Sequence, residues 1–445
     1  MKIHFIGIGG IGASALAKYY LARGHKVTGS DLVASEITDS LKKLGAKIFI
    51  GPHRSRTVLD QIDLVVYSPA VPTDNPELKR AKKLGIECQS YPEALGELTK
   101  KYFTIAIAGS HGKSTVAAMT GLLLEKAGLD PTVILGTKLK EFGSSNCRVG
   151  KSKYLVIEAD EHLASFLNYW PKIIVLTTIE ADHLDFYKNL KNYVLAYKKF
   201  ISQLPKSGIL IANKDDKNIQ KLKSQISKLH LKTQNYSLKQ LEAKKIKKIL
   251  KIPGKFNISN ALAALTVTRV LKIPDKISFK AISEYRGSWR RFEITRPGLV
   301  VRPGLIRHPI IISDYAHHPT QIKVTLEAAR EKFPRKEIWC IFQPHQYQRT
   351  YYLFKDFVKV FKEAPVDKLI ITDIYDVAGR ETSKIKKKVS SQKLIREINK
   401  KNVMYIPNSE KVEKYLKKNL QGGEVVMIMG AGDIYNLSLK LKAKN

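Results

Sequence analysis

The chain has 445 residues, 44% of them hydrophobic, which exceeds one ordinary core and predicts two or three domains built around buried sheets. No apolar run of about 18 residues or more argues for a membrane span, Met1-Lys2 leads straight into Ile3-His4-Phe5-Ile6 with no secretory pattern, and Cys88, Cys147 and Cys340 have neither metal-ligand nor disulfide spacing, which fits the cytoplasm. The formal charge of +37 comes from lysines spread along the whole chain and seldom interleaved with aromatics, so a solvated basic surface is favoured over a nucleic-acid footprint.

An apolar run over 3–6, a glycine-rich turn and a helical stretch over 13–23 open the chain, and further strands are expected over 26–29 and 64–67. Such alternation predicts a parallel sheet with covering helices, a Rossmann-like domain placed at 1–99. A second start follows, with a strand over 103–108, a loop over 109–112 and a helix over 115–127. Strands over 154–157 and 173–177 end in acidic and histidine-bearing turns, and the lysine-rich stretch 217–251 reads as peripheral. This central domain, of P-loop type with a parallel sheet, is placed at 100–294. Strands over 310–313, 338–342, 368–372 and 425–429, with a helical stretch over 320–332, predict a second Rossmann-like α/β domain over 295–445.

The strongest signal is Gly109-Ser110-His111-Gly112-Lys113-Ser114-Thr115, between an expected strand and an expected helix. Glycines let backbone N–H groups wrap a phosphate, and the helix N-terminus adds partial positive charge. Lys113 then suits the β- and γ-phosphates of ATP and the Ser114 hydroxyl suits Mg²⁺. Ile107 stands where the common motif has its first glycine. Metal-binding acids are expected at the ends of neighbouring strands, in Glu158-Ala159-Asp160-Glu161 and Glu180-Ala181-Asp182-His183.

Gly7, Gly9 and Gly12 form G-x-G-x-x-G after the first strand, and Asp31 ends the second. This is dinucleotide-type geometry, which NAD or any nucleotide diphosphate can use, a UDP-linked substrate among them. An NAD-linked oxidoreductase would rest on these residues alone, and a nucleic-acid-dependent ATPase on the charge and the phosphate loop. Neither accounts for the acidic clusters together with the C-terminal motifs.

Taken together the motifs resemble the Mur ligase family over nearly the whole chain. The resemblance runs through Ile6-Gly7-Ile8-Gly9-Gly10-Ile11-Gly12, the phosphate loop, both acidic clusters and Asn257-Ile258-Ser259-Asn260. It continues in Arg290-Arg291-Phe292-Glu293, Asp314-Tyr315-Ala316-His317-His318-Pro319, Phe342-Gln343-Pro344-His345, Arg349-Thr350 and Gly430-Ala431-Gly432-Asp433. It implies a three-domain ATP- and Mg²⁺-dependent ligase of peptidoglycan synthesis that makes an amide through an acyl phosphate. The implied substrates are UDP-N-acetylmuramate and L-alanine. A sister reaction, adding a preformed peptide in muropeptide recycling or a different amino acid, is the alternative.

The resemblance also implies residue roles. Gly109, Ser110, His111, Gly112, Lys113, Ser114 and Thr115 would hold ATP, with Asn257 and Asn260 at the adenine and Arg291 and Asp314 nearby. Ser114, Glu158 and His183 would surround Mg²⁺. Gly9, Gly10, Gly12 and Asp31 would hold the UDP moiety, and His318, His345 and Arg349 the rest of the substrate. Lys113, His183, Arg291 and His317 form the implied catalytic set. His162-Leu163, Thr178 and Phe256 depart from the family's usual Ser-Asp, Asn and His, and Gln346 and Gln348 lie in a loop usually richer in Arg. Lys198 or Lys199 lies near the place of a lysine that some members carbamylate. Oligomeric state stays open at this level.

Overall fold

A computed structural model describes residues 1–295, 308–377, 381 and 383–441. The first sheet holds β1 (Lys2–Ile6), β2 (Lys26–Asp31), β3 (Lys47–Ile50), β4 (Leu64–Tyr67) and β5 (Glu87–Ser90), in the order β3-β2-β1-β4-β5 with every pairing parallel. The second holds β6 (Phe103–Ala108), β7 (Thr132–Leu139), β8 (Ser145–Arg148), β9 (Tyr154–Ala159), β10 (Ile173–Leu176), β11 (Ile209–Asn213) and β12 (Lys232–Tyr236). Their order is β12-β11-β10-β6-β9-β7-β8. The third holds β13 (Glu293–Thr295), β14 (Ile310–Asp314), β15 (Ile338–Phe342), β16 (Lys368–Ile371), β17 (Val403–Tyr405) and β18 (Val425–Met429), ordered β13-β14-β18-β15-β16-β17. The chain is thus a three-domain α/β protein.

Two edge pairs, β7 with β8 and β13 with β14, run antiparallel, which the simple alternation of strands and helices did not predict. Central strands such as β15 (Ile-Trp-Cys-Ile-Phe) are buried at every position, because helices cover both faces of a parallel sheet. The helix Lys113–Lys126 is buried from Ser114 through Leu124, so it has no amphipathic stripe to read; it also starts two residues earlier than predicted, since Gly112 in the left-handed region serves as its N-cap. No helix among the described residues is long and apolar enough to cross a membrane.

By compactness the chain forms two units. One comprises 1–180, 191–249 and 259–285 and carries the first two sheets; the other comprises 181–190, 250–258 and 286–445 and carries the third. Within the first unit, the helix Ile11–Ala22 is tied to the β8 edge of the second sheet. Asn146 Nδ2 donates to the Ile11 carbonyl (2.7 Å) and the Ser14 hydroxyl (2.9 Å), and Lys18 Nζ donates to Asn146 Oδ1 (2.9 Å).

Candidate active site

Pairing registers bring three strand ends together around the phosphate loop. Ile107 of β6 lies beside Glu158 of β9, and Ala108 beside Leu176 of β10. A β-carbon at Gly109 (φ +136°) would lie 2.1 Å from Thr177 Oγ1, and one at Gly112 (φ +87°) would lie 2.5 Å from Asn260 Oδ1, so both positions exclude a side chain. The amides of Ser110 and His111 donate to the Thr178 carbonyl (2.8 Å) and hydroxyl (3.0 Å). The Thr178 departure therefore still fastens the loop. The first amides of the helix Lys113–Lys126 have no acceptor within the helix, the arrangement that favours an anion at that end.

Lys113 Nζ donates to the Gly109 carbonyl (2.8 Å) and to Glu161 Oε2 (2.7 Å). Burial alone would lower the lysine's pKa, but the Glu161 and Asp160 carboxylates outweigh it and hold the ammonium protonated. The Ser114 hydroxyl donates to Glu158 Oε2 (2.7 Å), whose other oxygen accepts from Gly136 N (2.6 Å). A hydroxyl and a carboxylate this close are hard oxygen donors that fit Mg²⁺.

Tyr193 was not legible as part of this site. Its hydroxyl lies 2.9 Å from Ser110 Oγ and donates to Glu161 Oε1 (3.1 Å), with Tyr197 behind it at 3.4 Å. Nothing in the sequence singles out the two tyrosines, four apart on the helix Leu190–Ile201. Lys199 of that helix is exposed and Lys198 half-buried, whereas Tyr193 reaches Glu161. Leu163 and Ala164, after the departure at His162, take left-handed φ values of 52° and 54°.

The glycines of the first domain open a cleft of about 700 Å³, lined among others by Gly7, Gly9, Gly10, Asp31 and His53. Asp31 Oδ2 accepts from Gly9 N at 2.7 Å, so the acid braces the glycine turn. Gly12 has a packing reason of its own, since a β-carbon there would lie 2.7 Å from the Tyr91 ring.

In the second unit, Asp182 Oδ1 accepts from His183 N (2.8 Å) and from Nε and Nη2 of Arg349 (both 3.3 Å). Burial would push the Asp182 carboxyl up, but Arg349, His183, His318 and His317 outweigh it and hold it well below the usual carboxylate range. Burial, with Arg349 and His345 adding to it, holds His317 well below the usual imidazole range, so it is neutral at neutral pH. Its Nδ1 lies 2.9 Å from the Tyr315 carbonyl, which fits an Nδ1–H tautomer with Nε2 as acceptor. The His345 ring stacks on Tyr375 at 5.5 Å. His318 accepts from Thr320 N (3.3 Å) and caps the helix Pro319–Lys332.

Asp314 accepts from Phe292 N (2.7 Å) and Ala316 N (2.8 Å), and burial raises its pKa. The two arginines before Phe292 separate in role. Arg290 donates to the carbonyls of Gly430 and Gly432 and lies over the rings of Tyr315 and Tyr435, whereas the Arg291 guanidinium lies 5.0 Å over Tyr315. Asn257 donates to the Pro253 carbonyl (2.7 Å), and Phe256, the departure beside it, packs against the apolar core of the third domain.

Family models match these regions in order: the Mur ligase family catalytic domain over residues 2–103, the Mur ligase middle domain over 107–268, and the Mur ligase glutamate ligase domain over 290–432. The chain belongs to the Mur ligase family. Among its Mur ligase relatives, the UDP-N-acetylmuramate–L-alanine ligase of Alkaliphilus metalliredigens is 40% identical over 465 aligned positions, covering 99% of this chain and 97% of that one. The ligase of the same name from Persephonella marina is 40% identical, covering 98% and 95%. Of solved structures, the UDP-N-acetylmuramate-alanine ligase of Thermotoga maritima matches with a TM-score of 0.80 at 28% identity, covering 99% of this chain and 98% of that one. A murein peptide ligase from Psychrobacter arcticus, at 21% identity, TM-score 0.73 and coverage of 99% and 98%, shares the fold.

Proposed function

We propose that the protein uses ATP to join L-alanine to UDP-N-acetylmuramate, in the cytoplasm, on the route to peptidoglycan. The full-length identity of 40% with ligases of that name carries this reading. The phosphate loop supports ATP as the energy source, and the glycine-lined cleft of the first domain supports a nucleotide-linked substrate. The proposed domain limits are 1–99, 100–294 and 295–445. Three free cysteines, Cys88, Cys147 and Cys340, accord with a reducing compartment.

A carboxylate is a poor electrophile. Its oxygen attacks the γ-phosphorus of ATP, the bond to ADP breaks, and an acyl phosphate forms. The amine of alanine then attacks the acyl carbon, phosphate leaves, and the nitrogen gives up a proton. Two anions meet in the first step, so the chain mainly has to position groups and balance charge. Lys113 neutralises phosphate oxygens. Ser114 and Glu158, with His183 added from the family resemblance, would hold Mg²⁺, which would supply further charge compensation. His317, neutral with Nε2 as acceptor, is proposed to receive the amine proton, and Arg291 to face the transferred phosphoryl group. Asn257, Asn260 and Asp314 are assigned to ATP, Gly9, Gly10, Gly12 and Asp31 to UDP, and His318, His345 and Arg349 to the remaining substrate.

The test is phosphate release from ATP and Mg²⁺ with UDP-N-acetylmuramate across a panel of single amino acids, with mass detection of product. Turnover that requires L-alanine supports the assignment. Turnover with a preformed tripeptide but no single amino acid would replace it by the recycling reaction, and phosphate release without a ligated product would remove it.

A further inference from the structure

Beneath the cleft of the first domain lies a polar network that the proposed chemistry does not use. Glu77, fully buried, has its Oε2 2.7 Å from His4 Nε2 and 2.9 Å from Ser30 Oγ, and its Oε1 2.6 Å from His53 Nδ1. His4, also fully buried, reaches Thr28 Oγ1 through its other nitrogen at 2.8 Å. Burial alone would push the Glu77 carboxyl up, but hydrogen bonds from His4, Thr57 and His53 outweigh it and hold the pKa at about 2. An ionised carboxylate accepts and never donates. Each histidine nitrogen facing it therefore carries a proton, which fixes His53 as the Nδ1–H form when neutral. His53 lines the cleft, its side chain 15% exposed, while Glu77 is sealed behind it. Nε2 is the polar atom left for it to offer. On the rim of the same cleft, Leu32 and Val33 are 59% and 70% exposed, an apolar surface suited to a flat ring.

We infer that Glu77 and His4 form a buried clamp that fixes the tautomer and direction of His53, so that His53 Nε2 accepts a hydrogen bond from an N–H or O–H donor on the nucleoside of the substrate. Two donors have the required chemistry, the uracil N3–H and a ribose hydroxyl. His53 is the contacting residue; Glu77 and His4 are positioning residues that act through it. The same device orients metal-ligating histidines, where a carboxylate on one ring nitrogen decides what the other presents. This inference rests on the reading that the cleft holds the UDP moiety.

The probe is UDP, titrated calorimetrically into the full chain, with histidine ¹⁵N spectra collected on the same samples. Expected in the unaltered protein is a His53 whose Nδ1 is protonated and whose Nε2 resonance moves on adding UDP. His53→Phe and Glu77→Gln should each weaken UDP about tenfold, the factor one lost hydrogen bond gives, with the KM for ATP unchanged. A UDP analogue methylated at N3 should bind the unaltered protein more weakly but His53→Phe no worse if N3–H is the donor; deoxyribose analogues should do so if a hydroxyl is. If Glu77→Gln fails to fold, the spectra of the unaltered protein and His53→Phe decide. No UDP binding to the unaltered protein overturns the cleft reading and this inference with it. Normal UDP binding with His53 protonated at Nε2 alone, or with both variants binding UDP as before, overturns this inference and leaves the cleft reading standing.

Discussion

Replacing Lys113 by Met separates what this lysine does for the fold from the phosphate role proposed for it. Its Nζ lies 2.7 Å from Glu161 Oε2, with the two side chains 15% and 1% exposed. Removing one partner from a buried ion pair costs about 3–5 kcal/mol, because the remaining charge keeps its desolvation penalty. Lys113→Met should therefore destabilise the protein by about 3 kcal/mol, an effect larger than a lost surface contact would give. Adding Glu161→Gln removes the stranded charge and should recover most of that loss. Urea unfolding followed by circular dichroism reads both steps. With a slope of about 1–3 kcal/mol per molar, the first change moves the midpoint down by roughly 1 M or more and the second moves it back. ATP-dependent ligation stays absent in both variants. A midpoint unchanged in Lys113→Met, or a double variant no more stable than the single one, would refute the buried-pair argument. Ligation retained in either would refute the phosphate role.

Gly112→Ala places a β-carbon 2.5 Å from Asn260 Oδ1 at φ +87°, so we expect about 1–2 kcal/mol of destabilisation and a raised KM for ATP; unaltered ATP kinetics would count against the loop geometry. Because Glu77 falls from an ordinary 4.5 to about 2, its ionisation adds about 3 kcal/mol of stability, present in full above pH ~5 and lost as the pH falls toward 2. The stability gap between the unaltered protein and Glu77→Gln should accordingly narrow across that window, and a gap independent of pH would contradict it. Arg349→Met takes the guanidinium from buried Asp182 and should cost about 3 kcal/mol at pH 7. Since Asp182 titrates below the usual carboxylate range, the penalty should shrink on acidification, as a pH series of thermal midpoints would reveal.

The central strands of all three sheets were legible because apolar runs bounded by glycine, proline or acidic turns leave little else for a segment such as Phe103–Ala108 or Val425–Met429 to become, whereas flanking strands such as Glu87–Ser90 and Lys232–Tyr236 are too polar to stand out. The antiparallel edge strands were not, since pairing partners lie far apart in sequence and Glu293–Thr295 has only three residues. Gly109 through Thr115 could be read as a strand-to-helix loop, and proposed as a phosphate site, because its pattern is local. Tyr193 could not, because its bonds to Ser110 and Glu161 form only once helix and sheet have packed. For the same reason Arg290 and Arg291 looked alike as neighbours, although the fold spends one on the carbonyls of Gly430 and Gly432.

The tie between Asn146, Lys18 and the helix Ile11–Ala22 has a consequence for substrate choice. That helix starts at the glycine turn of the cleft proposed to hold the nucleotide, while β8, which bears Asn146, belongs to the same sheet as the proposed phosphate loop. Pinned to each other, the two grips form a ruler. On the proposed reading, a ligand seated by its nucleotide has to carry its carboxylate at a set number of bonds from the diphosphate to meet ATP, so reach, and not recognition of the sugar alone, would sort one nucleotide-linked acid from another.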